Sequence, residues 1–137
     1  MDTGSVMAGI NWLAVVVAAA STFVLGGLWY GPMFGQAWMR ASGVTEEQAR
    51  QGNSGLIFGL AFVCELIAAV LLAMFLGAES TLSFGIFAGA SVGIGWVGTG
   101  LAVIYLFERR PPAHWIVNGG YQAVAFTLMG AILGGWH

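Results

Sequence analysis

Four apolar runs, Ile10 to Tyr30, Gly55 to Leu76, Leu82 to Phe107 and Ala113 to Trp136, occupy most of this 137-residue chain. Each is long enough to cross a hydrocarbon core of about 30 Å, which takes about 20 residues at 1.5 Å apiece. In hydrocarbon every backbone N–H and C=O must find its partner inside the protein, so runs of this length fold as helices. Composition excludes the soluble alternative: 58% hydrophobic residues, 7% charged residues, 22 glycines and no lysine cannot coat a water-facing surface. The chain reads as an all-α, polytopic integral membrane protein, with residues 1–137 as a single membrane domain and four transmembrane helices in a compact bundle.

The first run is read as a permanent helix rather than a cleaved leader, because Asp2 is the only charge before Ile10 and the run is longer than a signal h-region. All four arginines fall in two loops, Arg40 and Arg50 after the first span and Arg109 and Arg110 after the third. The positive-inside rule then makes these loops cytoplasmic and puts both termini on the outside of the cell's inner membrane. Glu46, Glu47 and Glu108 in the same loops weigh little under that rule. Net charge near zero and scattered arginines offer no surface for nucleic acid. Cys64 is the only cysteine, so no intrachain disulfide can form.

The longest segment outside the spans, 31–54, is expected to form an interfacial elbow. Phe34, Ala37, Trp38 and Ala41 recur at helical spacing opposite Gln36 and Arg40, as in a short amphipathic helix at headgroup depth, with Trp29, Tyr30, Phe34 and Trp38 as anchors. Thr45 and Gln48 have capping-box spacing and open a turn over residues 46–51, before Gly52, Asn53 and Ser54 break it. The residues Ile10-Asn11-Trp12-Leu13-Ala14-Val15, the stretch Gly27-Leu28-Trp29-Tyr30-Gly31-Pro32-Met33-Phe34-Gly35-Gln36-Ala37-Trp38, and Asn118-Gly119-Gly120-Tyr121-Gln122 with Met129-Gly130-Ala131 resemble the domain-of-unknown-function 1761 family of small, mostly bacterial membrane proteins. That resemblance covers nearly the whole chain and implies four membrane helices and no known activity. Relatives often carry Lys where Gln36 stands.

Small residues mark the helix contacts. Gly85, Gly89 and Gly93 repeat every four residues and make a groove for close approach. Ala14, Ala18, Thr22 and Gly26 form a similar ladder on the first span, and Gly119, Ala123, Thr127 and Ala131 on the fourth. The run Gly93-Ile94-Gly95-Trp96-Val97-Gly98 fits a dinucleotide-binding pattern, but lacks the strand, the soluble helix and the acidic residue that pattern needs. Gly95, Gly98 and Gly100 could instead let the third helix kink or unwind, as in discontinuous transporter helices.

Glu65 lies near the middle of an apolar run, and an ionisable group at bilayer depth is costly enough to suggest a function. His114, Asn118 and Gln122 follow at i, i+4 and i+8 on one face of the fourth span, with Tyr121 beside them. Glu65 and Gln122 each lie about ten residues, roughly 15 Å, into their helices from the arginine-bearing end. They are expected to meet near mid-span with Trp96 and Thr99, while Asn118 and His114 lead toward that end. Two readings follow. Glu65 is either neutral interhelical glue in a structural or accessory protein, or a proton or cation site in a protein that moves a small solute or ion. One four-helix protomer has little room for a pore, so transport would call for a homo-oligomer, which the glycine ladders could build. No nucleophile stands beside a base, His114 and His137 are the only histidines, and no set of metal ligands gathers. Neither an enzyme nor a cofactor or metal is expected. The expected partners are the lipid bilayer, a second copy of the chain and a small solute or ion.

Overall fold

The computed structural model describes residues 3–50 and 54–136. Its elements are helices α1 (Thr3–Ala8), α2 (Trp12–Leu28), α3 (Gly35–Ser42), α4 (Glu46–Arg50), α5 (Ser54–Leu76), α6 (Leu82–Ala90), α7 (Thr99–Glu108) and α8 (Pro112–Gly135), with π-helical segments at Trp29–Met33 and Ser91–Gly98. Four helical stretches are long and apolar enough to cross a membrane: Trp12–Met33, Gly55–Leu76, Leu82–Glu108 and Pro112–Gly135. We call them the first to fourth spans. Their ends lie within a few residues of the sequence expectation, and α1 is an addition to it.

Local chemistry sets the boundaries. Asn11 starts the first span by accepting from the Ala14 N–H (3.1 Å), and Thr81 starts the third by accepting from Phe84 (3.2 Å). Pro32 has no N–H to continue the α ladder. The turn there widens, and Phe34 donates its N–H to the Trp29 carbonyl at 2.7 Å. The chain then folds back so closely that a Cβ on Gly35 would run into the Tyr30 carbonyl. Thr45 and Gln48 form the reciprocal capping box, at 3.0 and 3.1 Å. Gly43 and Gly77, with φ of 78° and 80°, end α3 and α5 in the left-handed region. Gly52 and Asn53, expected to break the elbow, lie outside the described residues, as do Asp2 and His137.

The fourth span is the hub of the bundle, packing against the first, second and third spans and against α3. The third span contacts the second mainly along α6, beside the hairpin that joins them, and rests otherwise on the fourth. At the end away from the arginines the core is apolar: Ala14, Val15, Ala18, Ala19, Ala69, Leu72, Leu76, Met129 and Leu133 close together. Toward the arginine-bearing end, tyrosine, tryptophan, asparagine and histidine replace them. Large apolar side chains such as Leu13, Val24, Leu60, Leu71, Phe87 and Phe107 point outward, the arrangement a bilayer favours and water does not.

The glycine ladder of the third span is used inside the protomer. A Cβ on Gly85 would strike the Gly130 carbonyl, one on Gly89 the Phe126 carbonyl, and one on Gly93 the Gln122 carbonyl at 2.7 Å. The facing ladder therefore includes Ala123 and Thr127 as expected but continues through Gly130 and Gly134 rather than Ala131. Gly119 faces the Trp115 indole of its own helix. Ala14, Ala18 and Thr22 are fully buried, and Gly26 lies under the Tyr121 ring. Because the Gly85 to Gly93 groove is filled by the fourth span, it is not open to a second copy of the chain. The third span neither breaks nor runs as an even α-helix but widens through Ser91–Gly98.

Candidate functional site

Glu65 comes from the middle of α5, on the flank that faces the fourth span. Its Oε1 lies 3.1 Å from the Tyr121 hydroxyl, which also donates to the Thr22 carbonyl of the first span at 3.0 Å. Tyr121 is buried, whereas Glu65 is half-buried. One phenol thus joins three helices at a single point. Among the described residues no arginine or histidine pairs with Glu65, and its second carboxyl oxygen makes no hydrogen bond.

A second polar group lies toward the arginine-bearing end. Asn118 is its centre: its Oδ1 accepts from the Tyr30 hydroxyl at 2.7 Å, and its Nδ2 donates to the Tyr105 hydroxyl at 3.0 Å. The same Nδ2 lies 3.3 Å from His114 Nε2. With its amide N–H directed there, Nε2 is the acceptor, so the neutral ring carries its proton on Nδ1. That Nδ1 is buried with no hydrogen-bond partner among the described residues. The His114 ring packs edge-on against Tyr105, centroids 4.5 Å apart. The Tyr30 and Tyr121 rings, 5.4 Å apart, connect this group to Glu65.

Aromatic residues expected as interfacial anchors are turned back onto the fourth span. Trp29 donates from Nε1 to the Val117 carbonyl at 2.9 Å, covers Gly120, and packs on Phe34 at 4.5 Å. Tyr30 meets Trp38 edge-on at 6.0 Å. The α3 face with Ala37, Trp38 and Ala41 is half-buried while Gln36 and Arg40 are exposed, so the amphipathic reading of the elbow holds. Arg110 ties the elbow to the loop after the third span, reaching the Ser42 carbonyl at 3.3 Å and Glu108 at 3.1 Å.

The structure brings Glu65, Tyr121, Asn118 and His114 into one connected region. Trp96 and Thr99 are not part of it. Trp96 is 70% exposed on the outer face, where it borders a groove of about 300 Å³ with Phe75, Phe84 and Ser91. The Thr99 hydroxyl returns to its own helix, to the Gly95 and Trp96 carbonyls at 2.6 and 3.2 Å. Gln122 is half-buried and makes no hydrogen bond with its side chain among the described residues. Tyr105 and the Thr22 carbonyl are members that the sequence did not single out. Tyr105 could have been found by depth, since an antiparallel third span puts it level with Asn118. Trp115 is a third addition, donating to the Gly98 carbonyl at 2.8 Å, where the π segment ends. No three of His, Cys, Asp and Glu gather among the described residues to hold a metal ion.

The model of a family described as a protein of unknown function (DUF1761) matches residues 13–134. No curated protein and no solved structure matches the chain.

Proposed function

For a chain that belongs to the DUF1761 family, whose description assigns no activity, we propose a protein that moves a small solute or ion across the membrane, with Glu65 as the carboxyl that binds it. The observation behind this reading is the half-buried Glu65 at mid-span, held on one oxygen by Tyr121 and, among the described residues, without a hydrogen bond on the other. Glue would be sealed on both oxygens, and intramembrane carboxyls commonly mark pathways. Asn118 and His114 give a polar approach from the arginine-bearing end. In this reading the protein is not an enzyme and acts as a homo-oligomer in the cell membrane. Both termini lie outside and the arginine loops are cytoplasmic.

The test is flux in reconstituted vesicles loaded with a pH-sensitive dye, comparing the protein with Glu65→Gln after a pH step. Glutamine keeps the shape and removes the exchangeable proton. Proton movement above that of empty vesicles, lost in the variant, supports the proposal, and equal proton traces together with equal sodium uptake by the two proteins end it. The backbone seam between third and fourth spans favours a second reading, a structural or accessory membrane protein, because it leaves no passage between those two helices. Equal traces would leave that reading in place.

A further inference from the structure

We infer that the ion Glu65 holds is a proton, so that the resting site is a neutral carboxylic acid whose hydrogen is directed by Tyr121. This rests on the reading of Glu65 as the working carboxyl and names its ligand. The donors around the phenol can be counted. The Tyr121 hydroxyl carries one hydrogen and has two oxygens within bonding distance, the Thr22 carbonyl at 3.0 Å and Glu65 Oε1 at 3.1 Å. A backbone carbonyl can only accept. Each contact is a full two-centre hydrogen bond when Tyr121 donates to Thr22 and Glu65 Oε1 donates to Tyr121, whereas an ionised carboxyl would leave the two acceptors to share one hydrogen. That assignment puts the proton on Oε1.

The surroundings agree. From the fourth span the group facing Glu65 is the Tyr121 phenol. From the first span, among the described residues, come the Thr22 carbonyl and, beyond the phenol, the Tyr30 ring packed on Tyr121 at 5.4 Å. Among the described residues no cationic side chain pairs with the carboxyl, and the one ion pair seen with an arginine is Arg110 with Glu108 in a loop. A carboxylate at this depth would lack any counter-charge, a costly arrangement that protonation removes. A resident metal ion would find one carboxyl, one phenol and one carbonyl, too few oxygens for the six or more that hard cations such as calcium take.

Loss of the proton then has a defined local consequence. The Tyr121 hydrogen turns from Thr22 to the carboxylate, because a charge-assisted hydrogen bond is about twice as strong as a neutral one. Tyr121 is therefore a positioning residue that couples the charge of the second span to the contact between first and fourth.

Infrared spectra of the protein in vesicles test this, recorded at neutral pH in sodium chloride and in choline chloride. A protonated carboxyl band is expected that is absent in Glu65→Gln, unchanged by the choice of cation, and moved to higher wavenumber in Tyr121→Phe. If Tyr121→Phe does not fold, the salt comparison on the native protein decides alone. A carboxylate band at neutral pH, or a carboxyl band that appears only when sodium is withdrawn, overturns the inference in favour of a bound cation. A cation-independent carboxyl band in a protein that moves no protons supports the inference and removes the transport reading, so the two fail separately.

Discussion

The fourth span is held by two unlike seams. Against the third span the contact is backbone on backbone: Gly85 on Gly130 and Gly134, Gly89 on Phe126 and Thr127, and Gly93 on Gln122 and Ala123. Against the first and second spans, side chains reach across, with Trp29 to Val117, Tyr30 to Asn118 and Tyr121 to Thr22 and Glu65. The first kind of seam draws on close van der Waals contact, which has one good separation and tolerates no extra atom. The second consists of hydroxyls, amides and a carboxyl that can rotate and exchange protons without moving a helix. A chain that must be firm in one place and chemically responsive in another has put the two on separate sides of one helix.

The sharpest way to break the comparison is to add one carbon to the backbone seam. Gly130→Ala would push a Cβ into the Gly85 carbonyl and toward Gly89. Neither neighbour is a side chain that can swing away, so the helices must separate, and the loss is expected at the upper end of overpacking costs, about 3 kcal/mol. Thermal unfolding in detergent, followed by size-exclusion recovery, should show the variant melting well below the native protein. Native-like melting would mean that the seam is looser than the structure shows.

Next in size is a break in the side-chain seam. Tyr30→Phe removes the donor to Asn118 Oδ1 and keeps the ring packed on Tyr121 and Trp38. Leaving a part-buried acceptor unpaired costs about 1–2 kcal/mol. The expected result is a folded protein, modestly less stable, in which Asn118 is free to reorient and the His114 environment changes. The His114 ring signals in an NMR spectrum would report that change; identical shifts in both proteins would show that Tyr30 does not set the amide.

The two seams were not equally legible in the sequence. The backbone seam shows as glycine every fourth residue, a spacing that lines one helix face with hydrogen atoms and lets a second backbone come close. Gly85, Gly89 and Gly93 lie where the repeat puts them. The side-chain seam was legible in depth but not in rotation. Counting 1.5 Å per residue sets Glu65 level with the region around residue 122, yet each step along a helix also turns it by about 100°, so Tyr121 and Gln122 face different neighbours. Which of them meets Glu65 depends on the face the glycines give to the third span, and that choice turns Gln122 away from the carboxyl. Trp96 and Thr99 fail for the same reason, being at suitable depth on the outer side of their helix. The π segment at Ser91–Gly98 was invisible, because its glycines permit widening, kinking or close packing alike. Its register depends on contacts from another helix, such as Trp115 on the Gly98 carbonyl.

That contact gives a smaller test. Trp115→Phe removes the indole N–H that reaches Gly98 but keeps an aromatic ring near Gly119. Hydrogen bonds between membrane helices contribute about 0.6 kcal/mol on average. A drop of that order is expected in the same unfolding assay, with the fold and the glycine seam intact. A loss as large as that of Gly130→Ala would mean that the indole, rather than the glycines, holds the third span in place.

The smallest effect is expected where the same glycine-to-alanine change meets open space. Gly59 lies in α5 on the lipid-facing side, and a Cβ added there meets nothing within 4 Å. Its φ is not in the left-handed region, so alanine fits the backbone without strain. Alanine also restricts the unfolded chain and favours the helix, which predicts a gain of about 0.5 kcal/mol. Gly59→Ala and Gly130→Ala therefore form a matched pair, with identical chemistry on two spanning helices and shifts of opposite sign. If both destabilise to a similar degree, glycine is acting through some general property of these helices, such as flexibility, and close approach is not the cause. If they diverge as expected, the cost at Gly130 belongs to the seam itself.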